Sequence, residues 1–560
     1  MSCKTGLIRN LIFAVPAVLA LIAVIVFFVR YDSRQWHKEN ESYRSLFFSS
    51  ESGHGHDIEL TCIDDQYYVF VPAEYDSQPV VGFRYADSMI LDGVEYRAGD
   101  KIESRFFSVG LSGPSFFHMI IRERSDVICE GDICFWNAGN VPSLYIDTSS
   151  GSMEAVTSSD DHSYMESAKL YCADSDCLYS GRCHIRGRGN TTWRTFPKNP
   201  YNVEFDEDVS LLGMRAQAKW SLLANIYDGS EMKNAMALDI ARAMNIPAWV
   251  EYRYANLYLN GEYAGLYLVT QHVDVSGGNI PIHDLGEENR IINDYDQPPE
   301  WDVYYDPGAR SIEWFEGDSP SDISGGYLVE FVQYGAPGSG FFTTYHTMGV
   351  IESPKYHTYD ESVYMLDYLL KIEDLIYNDP SEAYAEYIDL DSWSAMYLLK
   401  EFLADEDTDL YSLYAYKDRQ SDAFVCGPAW DFDATMGVDR DGKHYESARM
   451  RWLKQRAESR RENGADEGWL NELYEGHTGF RQATRSLYVN SFRSILELEL
   501  NDRLPMIHDL IADSAYMDHI RYPHRMRPVY DEGFDDEYSY MISWLEERLK
   551  YYDEYYEKDQ

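Results

Sequence analysis

Apolar and polar positions alternate with different periods along the chain. From Leu11 to Val29 the run LIFAVPAVLALIAVIVFFV carries no charge. At about 1.5 Å per helical residue it nearly spans a ~30 Å hydrocarbon layer, which predicts one N-terminal membrane helix. A cleaved signal would show roughly 7–15 apolar residues and a small-x-small site, whereas this run continues to Arg30. Residues 31 to about 56 are polar and predict a stalk. Between Ile58 and about Trp136, short runs (IELTCI, YYVFVP, VVGFRY, FFSVGL, FFHMIIRE) are separated by turns such as Leu91-Asp92-Gly93 and Ala98-Gly99-Asp100. That pattern predicts a small β-sandwich-like module.

From about Val141 the pattern is mixed. Alternation predicts strands at Ser143–Asp147, Asn202–Phe205, Arg253–Leu259 and Ala264–Thr270. Asn260-Gly261 joins the last two as a hairpin, since both residue types accept the positive φ of a two-residue turn. Helical periodicity over 231–244 is stopped by Pro247. Residues 277–322, rich in Gly, Asp and Pro, read as an insertion or mobile loop. Beyond Ser362 the period is mostly helical, over 362–377, 391–404 and about 537–557. A β-rich lobe before a helical lobe is an α+β arrangement. The predicted organisation is a tail and transmembrane anchor over 1–30, a stalk and β module over 31–140, and a chemistry-bearing domain over 141–560.

Charge narrows the function classes. The chain has 48 basic and 95 acidic side chains and a net charge of −47, with 45% hydrophobic and 15% aromatic residues. This is a packed globular composition. The field repels phosphate backbones and argues against nucleic acid as a partner. An anionic substrate would need a metal or a local cation cluster. Of eight cysteines, the C-x4-C pairs Cys129/Cys134 and Cys172/Cys177 are spaced to close small disulfide loops in an oxidising compartment. Zinc sites need tighter spacing, and Cys426 reads as a buried thiol. Only a short tail precedes the apolar run, which places the tail in the cytoplasm and the body outside.

Three stretches carry chemistry. In Trp430-Asp431-Phe432-Asp433-Ala434-Thr435-Met436-Gly437, an extended strand would turn Asp431 and Asp433 to one face. Paired carboxylates of this kind suit Mg²⁺ or Mn²⁺ completed by phosphate oxygens, although D-x-D is common in so acidic a chain. Upstream, Asp405-Glu406-Asp407 leaves a predicted helix, and an aromatic strand, LYSLYAY, leads on to D-F-D. That order suits phosphoryl transfer, one carboxylate taking the hydroxyl proton and a later one holding metal. Asp405, Glu406, Asp407 and Asp409 read equally as a solvated acidic turn. Third, Arg186, Arg188, Arg194 and Lys198 cluster around the glycines of R-G-R-G-N-T-T-W. Glycines admit phosphate to backbone amides and the cations neutralise it. The segment is neither a P-loop nor a dinucleotide fingerprint.

In order, the chain reads R-G-R-G-N-T-T-W, F-P-K-N-P-Y, S-L-L-G-M, K-W-S-L-L-A-N-I-Y-D-G-S-E-M-K-N, L-Y-L-N-G-E-Y-A-G-L-Y-L-V-T-Q, G-G-Y-L-V-E and W-D-F-D-A-T-M-G. These seven blocks, over roughly residues 141–440, resemble the CotH family, spore-coat atypical protein kinases that look like secreted kinases. The resemblance implies a protein-kinase-like two-lobed fold that transfers phosphate from ATP to Ser or Thr of a protein acceptor with Mg²⁺ or Mn²⁺. It implies Asp407 as catalytic carboxylate and Asp431 as metal ligand, with Asp433 a second candidate. Lys198, Arg186 and Arg188 fall in the blocks assigned to ATP phosphates. Asp228, Asn234 and Glu330 are assigned to ordering the fold.

Departures are visible. Ser412 stands five residues after Asp407, where a kinase-like loop places a metal-binding Asn. Asn199 and Glu204 replace more basic residues, and Gln271 replaces an acid. A catalytically weak or inactive cell-surface structural or binding protein is therefore the second expectation. A glycosidase is the distant third, because no carboxylate pair outside these blocks has an acid/base setting.

Overall fold

The computed structural model describes residues 41–558 apart from 51–55, 76–78, 109–113, 160–161, 174–177, 190, 276–278, 295–300, 307–309, 334–338, 409–410, 420, 439–443, 445–447, 463–467 and 524–532. Among the described residues no helix is long and apolar enough to cross a membrane. The expected anchor, Leu11–Val29, lies outside the described residues, as does the 31–40 part of the expected stalk. The chain divides into two compact units, residues 1–137 with Gly261–Tyr263, and 138–260 with 264–560.

The first unit is built of strands. Thr61–Ile63, Gln66–Val71, Asp126–Asn137, Phe117–Glu123, Ser88–Leu91 and Val94–Tyr96 lie in that order in a seven-stranded sheet, with Phe107–Ser108 attached to Asp126–Asn137. A three-stranded sheet, Ile58–Glu59, Leu46–Ser49 and Val80–Phe83, completes it. The stalk expectation fails for Leu46–Ser49, which pairs antiparallel with Val80–Phe83 and buries Leu46 and Phe48. Four alternating residues in a polar stretch are too short a pattern to register as a strand. The strand Asp126–Asn137 also corrects the first cysteine pair. Cys129 and Cys134 share this one extended strand, so their Cα atoms are about 16 Å apart, against the roughly 4.4–6.8 Å that a disulfide needs. Cys177 of the second pair lies outside the described residues.

The second unit is mixed α+β. Its strands Ser143–Thr148, Glu166–Ala173, Leu178–Gly187, Tyr201–Val209, Gln217–Leu223, Glu262–Gln271 and Tyr252–Leu259 form a closed barrel in that order. The last strand pairs in parallel with the first. Alternate residues, among them Leu144, Ile146, Ile185, Val203, Trp220 and Val269, fill its interior. The hairpin turn has φ of 51° at Asn260 and 86° at Gly261, as the Asn-Gly signal requires.

A second seven-stranded sheet runs Trp301–Asp306, Arg310–Phe315, Phe341–Thr343, Met348–Ser353, Tyr327–Phe331, Leu413–Lys417, Val425–Ala429. Its first two strands and the helix Leu285–Asn293, capped by the Asp284 side chain, replace the structureless insertion expected over 277–322. Four helices matter for the site: α1 (Lys233–Ala243), α2 (Leu390–Leu403), α3 (Leu504–Arg521) and α4 (Phe534–Lys558). The last carbonyls of α2 have no partner within the helix. Arg548 of α4, fully buried, donates to Phe402 O at 2.9 Å, and also to Ala448 O at 2.8 Å. The final helix thereby fixes the point at which α2 releases its chain.

Candidate functional site

Helix α2 ends with Ala404 in the left-handed region, φ 52°, and the chain turns sharply. Lys400 and Asp405 form a buried ion pair at 2.5 Å. Asp405 also accepts from the Asp407 backbone N–H at 3.0 Å, and its carbonyl accepts from Trp452 Nε1 at 2.6 Å. Asp405 is thus a structural anchor, 1% exposed, and not a solvated turn acid. Arg456 pairs with Glu406 at 3.4 Å and Arg460 donates to Thr408 Oγ1 at 2.6 Å. Asp407 is held between these contacts and keeps partial exposure.

The D-F-D block is not the extended strand expected. The strand ends at Ala429, and Asp431 has φ 62°, so side-chain alternation does not apply. The loop is pinned by its neighbours instead. Asn234, in the first turn of α1, accepts from Phe432 N–H at 2.7 Å. Thr435 Oγ1 donates to Phe432 O at 2.6 Å, and Met436 N–H donates to Leu403 O at 2.7 Å. Glu406 N–H donates to Ala434 O at 3.2 Å, which sets the Asp407 turn beside the D-F-D loop.

Asp431 and Asp433 nevertheless meet electrostatically. Burial pushes Asp433 well above the usual carboxylate range, repulsion from Asp431 adds to it, and Lys233 opposes it. Ser412, φ 53°, lies with Oγ 3.5 Å from Asp431 Oδ2, while its N–H donates to Glu330 Oε1 at 3.2 Å. Burial, with Glu352 and Asp431 close by, pushes Glu330 up to about 8. Glu330, Asp431 and Asp433 are half-buried residues, and protein encloses the carboxyl groups of Glu330 and Asp433.

Cations face them. Arg188 stacks 5.5 Å from the Trp430 ring centroid. Burial lowers its pKa, and the attraction of Asp431, then Tyr414 and Asp433, works to keep it charged. Arg186 Nε is 3.2 Å from Glu204 Oε1. His272 is pushed down to about 3 by burial and then by Arg188, so it is neutral at pH 7. Its Nδ1 lies 2.9 Å from Ser221 Oγ.

Lys198 is placed differently. It is fully buried, with Nζ 2.8 Å from Asp518 Oδ1 of α3, 2.6 Å from Leu266 O and 3.6 Å from Glu231 Oε1. Asp518 Oδ1 and Leu266 O take two of the three ammonium donors, and Glu231 stands at ion-pair distance beyond hydrogen-bond reach. Only glycine fits at Gly265 beside this knot: φ is 123°, and an added Cβ would lie 2.4 Å from Asp518 Oδ1.

The structure therefore gathers Arg188, Asp431, Asp433 and Ser412, and bonds the Asp407 turn to the same loop. Arg186 is tied to Glu204, and Lys198 belongs to an interior knot. Sequence reasoning missed Lys233, which is buried, with Nζ lacking a hydrogen-bond partner among the described residues. Burial lowers its pKa, while Asp228, Glu537 and Asp433 pull the other way. The available signal was a lysine among the apolar positions that open the helical stretch EMKNAMALDIARAM.

Among the described residues no three His, Cys, Asp or Glu side chains gather as a complete metal site. The mutual repulsion of Asp431 and Asp433 fits a divalent ion whose remaining positions are filled by phosphate oxygens and water. Residues 185–552 match the family model described as CotH kinase protein, and no curated protein matches the chain.

Proposed function

The chain belongs to the CotH kinase family, and from this we propose that it is a membrane-anchored protein kinase that transfers phosphate from ATP to Ser or Thr of a protein acceptor. The observation that carries this reading is the Asp431–Asp433 pair opposite Arg188, with the Asp407 turn hydrogen-bonded to the same loop. Asp431 and Asp433, with the Ser412 hydroxyl, would hold Mg²⁺ or Mn²⁺. The bound ion would supply neutralisation of phosphate charge. Arg188, oriented on Trp430, holds phosphate oxygens from the barrel side, with Arg186 next to it. Asp407 orients the acceptor hydroxyl and takes its proton as the new O–P bond forms and the bond to ADP breaks. Lys198, buried between Leu266 O, Glu231 and Asp518, ties the barrel to α3 and to the residues just before α1 and so positions this site. The Leu11–Val29 run anchors the chain, and the body is placed outside the cytoplasm.

Purified full chain with ATP and Mn²⁺ should phosphorylate itself or an acidic milk-protein acceptor. Asp407→Ala and Asp431→Ala should each remove the transfer. Equal transfer by either variant, or none by wild type, sinks the catalytic reading. A second reading, a binding protein on the same fold, is favoured by Ser412 at the position of a metal-binding Asn. It expects no nucleotide-induced rise in thermal midpoint, whereas ATP at 100 times its dissociation constant would add about 2.7 kcal/mol.

A further inference from the structure

Away from this site, the second unit carries a groove of about 160 Å³ between α1, the segment Trp249–Tyr254 and the start of α3. Its apolar wall includes Trp249, Met506, Ile507 and Leu510. Met506 and Leu510 are 52% and 43% exposed, so two large apolar side chains face solvent along the rim. Trp249 is clasped by guanidinium groups, with Arg215 4.2 Å and Arg242 4.5 Å from its ring centroid.

The charges around the groove are not balanced from within. Asp239 is already committed to Arg503 at 2.7 Å and to the Tyr252 hydroxyl at 2.7 Å. Glu251 pairs with Arg215 at 3.5 Å. Arg242 and Arg253 are exposed, and among the described residues neither has a carboxylate partner. In a chain with 95 acidic and 48 basic side chains, nearly every arginine could have been given one. Two unneutralised arginines beside exposed apolar residues and a cavity form a surface complementary to acid and hydrocarbon together.

We propose that this groove docks an acidic protein segment, its carboxylates on Arg242 and Arg253 and one apolar side chain seated against Trp249, Met506 and Leu510. The apolar anchor supplies the buried contact that dominates affinity, and the arginines supply selection for acidic sequences at the rim. The groove shares α1 with the candidate site, whose Asn234 holds the Phe432 N–H, but docking does not require the chain to be a kinase.

Fluorescence anisotropy on the full chain tests this with three short labelled peptides. One has aspartates around a Leu-Trp pair, one has lysines around the same pair, and one has aspartates around serines. The first should bind best. Arg242→Glu with Arg253→Glu should weaken it about tenfold. Leu510→Glu, at an exposed position, should weaken it similarly, while Arg242→Lys with Arg253→Lys retains most of the binding. Unchanged thermal midpoints establish that the variants are folded. The proposal is overturned if the first peptide fails to bind, if the lysine or serine peptide binds as tightly, or if the Glu variants leave affinity unchanged. Displacement by inorganic phosphate or phosphatidylserine vesicles as effective as by the peptide would also overturn it, in favour of a simple anion or membrane surface.

Discussion

Glu499, 3% exposed near the start of α3, is pushed up to about 8 by burial and then by Asp239, from an ordinary 4.5. The folded protein therefore holds a proton here that the unfolded chain has released between those values. Native proton binding exceeds unfolded binding in that window, so this contribution is complete below pH 4.5 and is lost as pH rises through about 8. Glu499→Gln removes the titration. Denaturation across this window should show a flatter stability profile for the variant than for wild type. The difference should be on the order of a few kcal/mol by pH 8. Parallel profiles would mean that Glu499 titrates normally in the folded chain. Lys233 shows the same physics from the other side, as a buried amine whose nearest compensation is the charge of Asp228, Glu537 and Asp433. Single residues of this kind are poorly legible in sequence. A lysine in an apolar helical stretch is visible, but whether its head reaches solvent depends on what packs over it, and α4 comes from three hundred residues downstream.

At the level of elements, α1 and the D-F-D loop are joined by one side chain. Asn234 accepts from Phe432 N–H and donates to Asn225 Oδ1 at 3.0 Å, all within the interior. Asn234→Ala leaves a buried N–H and a buried amide oxygen unmet, a loss of about 1–3 kcal/mol. It also frees the loop that carries Asp431 and Asp433. Phosphate transfer should fall by more than tenfold, while the thermal midpoint drops by only a few degrees. Transfer at the wild-type rate would show that the tether is structural alone. The elements nearest this tether were legible because their signals are local: Asn-Gly for the hairpin, a clean helical period for α1, acidic blocks after α2. The helix Leu285–Asn293 and the strands Trp301–Asp306 and Arg310–Phe315 were not, since Asp, Pro and Gly around them mask short alternations. The loop conformation of Asp431 was likewise hidden. Aspartate tolerates the left-handed region better than most residues, but in a chain with 95 acids that signal singles out no position. The loop around Asp431 is held by hydrogen bonds from distant segments, here α1 and α2.

For the whole molecule, the charge of −47 contrasts with the single buried guanidinium of Arg188 beside Asp431 and Asp433. The global field repels polyanions, and on the proposed function Arg188 with a divalent metal would admit a nucleotide at one place. On the proposed function, orientation in the membrane would decide the supply of ATP, which is scarce outside a cell. If Leu11–Val29 anchors the body on the outer side, protease added to intact cells should cleave the body. Protection until the cells are opened would reverse the orientation and put the site in contact with cytoplasmic ATP. The mixed α+β class was legible from the change of period near Ser362. The closed barrel was not, because closure is a pairing between strands far apart in sequence.

That closure governs how the chain comes off the ribosome. Ser143 finds its partner at Asn256, so the first barrel strand has an unpaired edge throughout the synthesis of the five strands that follow it. Long-range parallel pairing of this kind forms slowly. Until the seam shuts, the nascent chain presents two adhesive edges to its neighbours. Competition between closure and clumping during synthesis is therefore expected to weigh on the yield of intact protein.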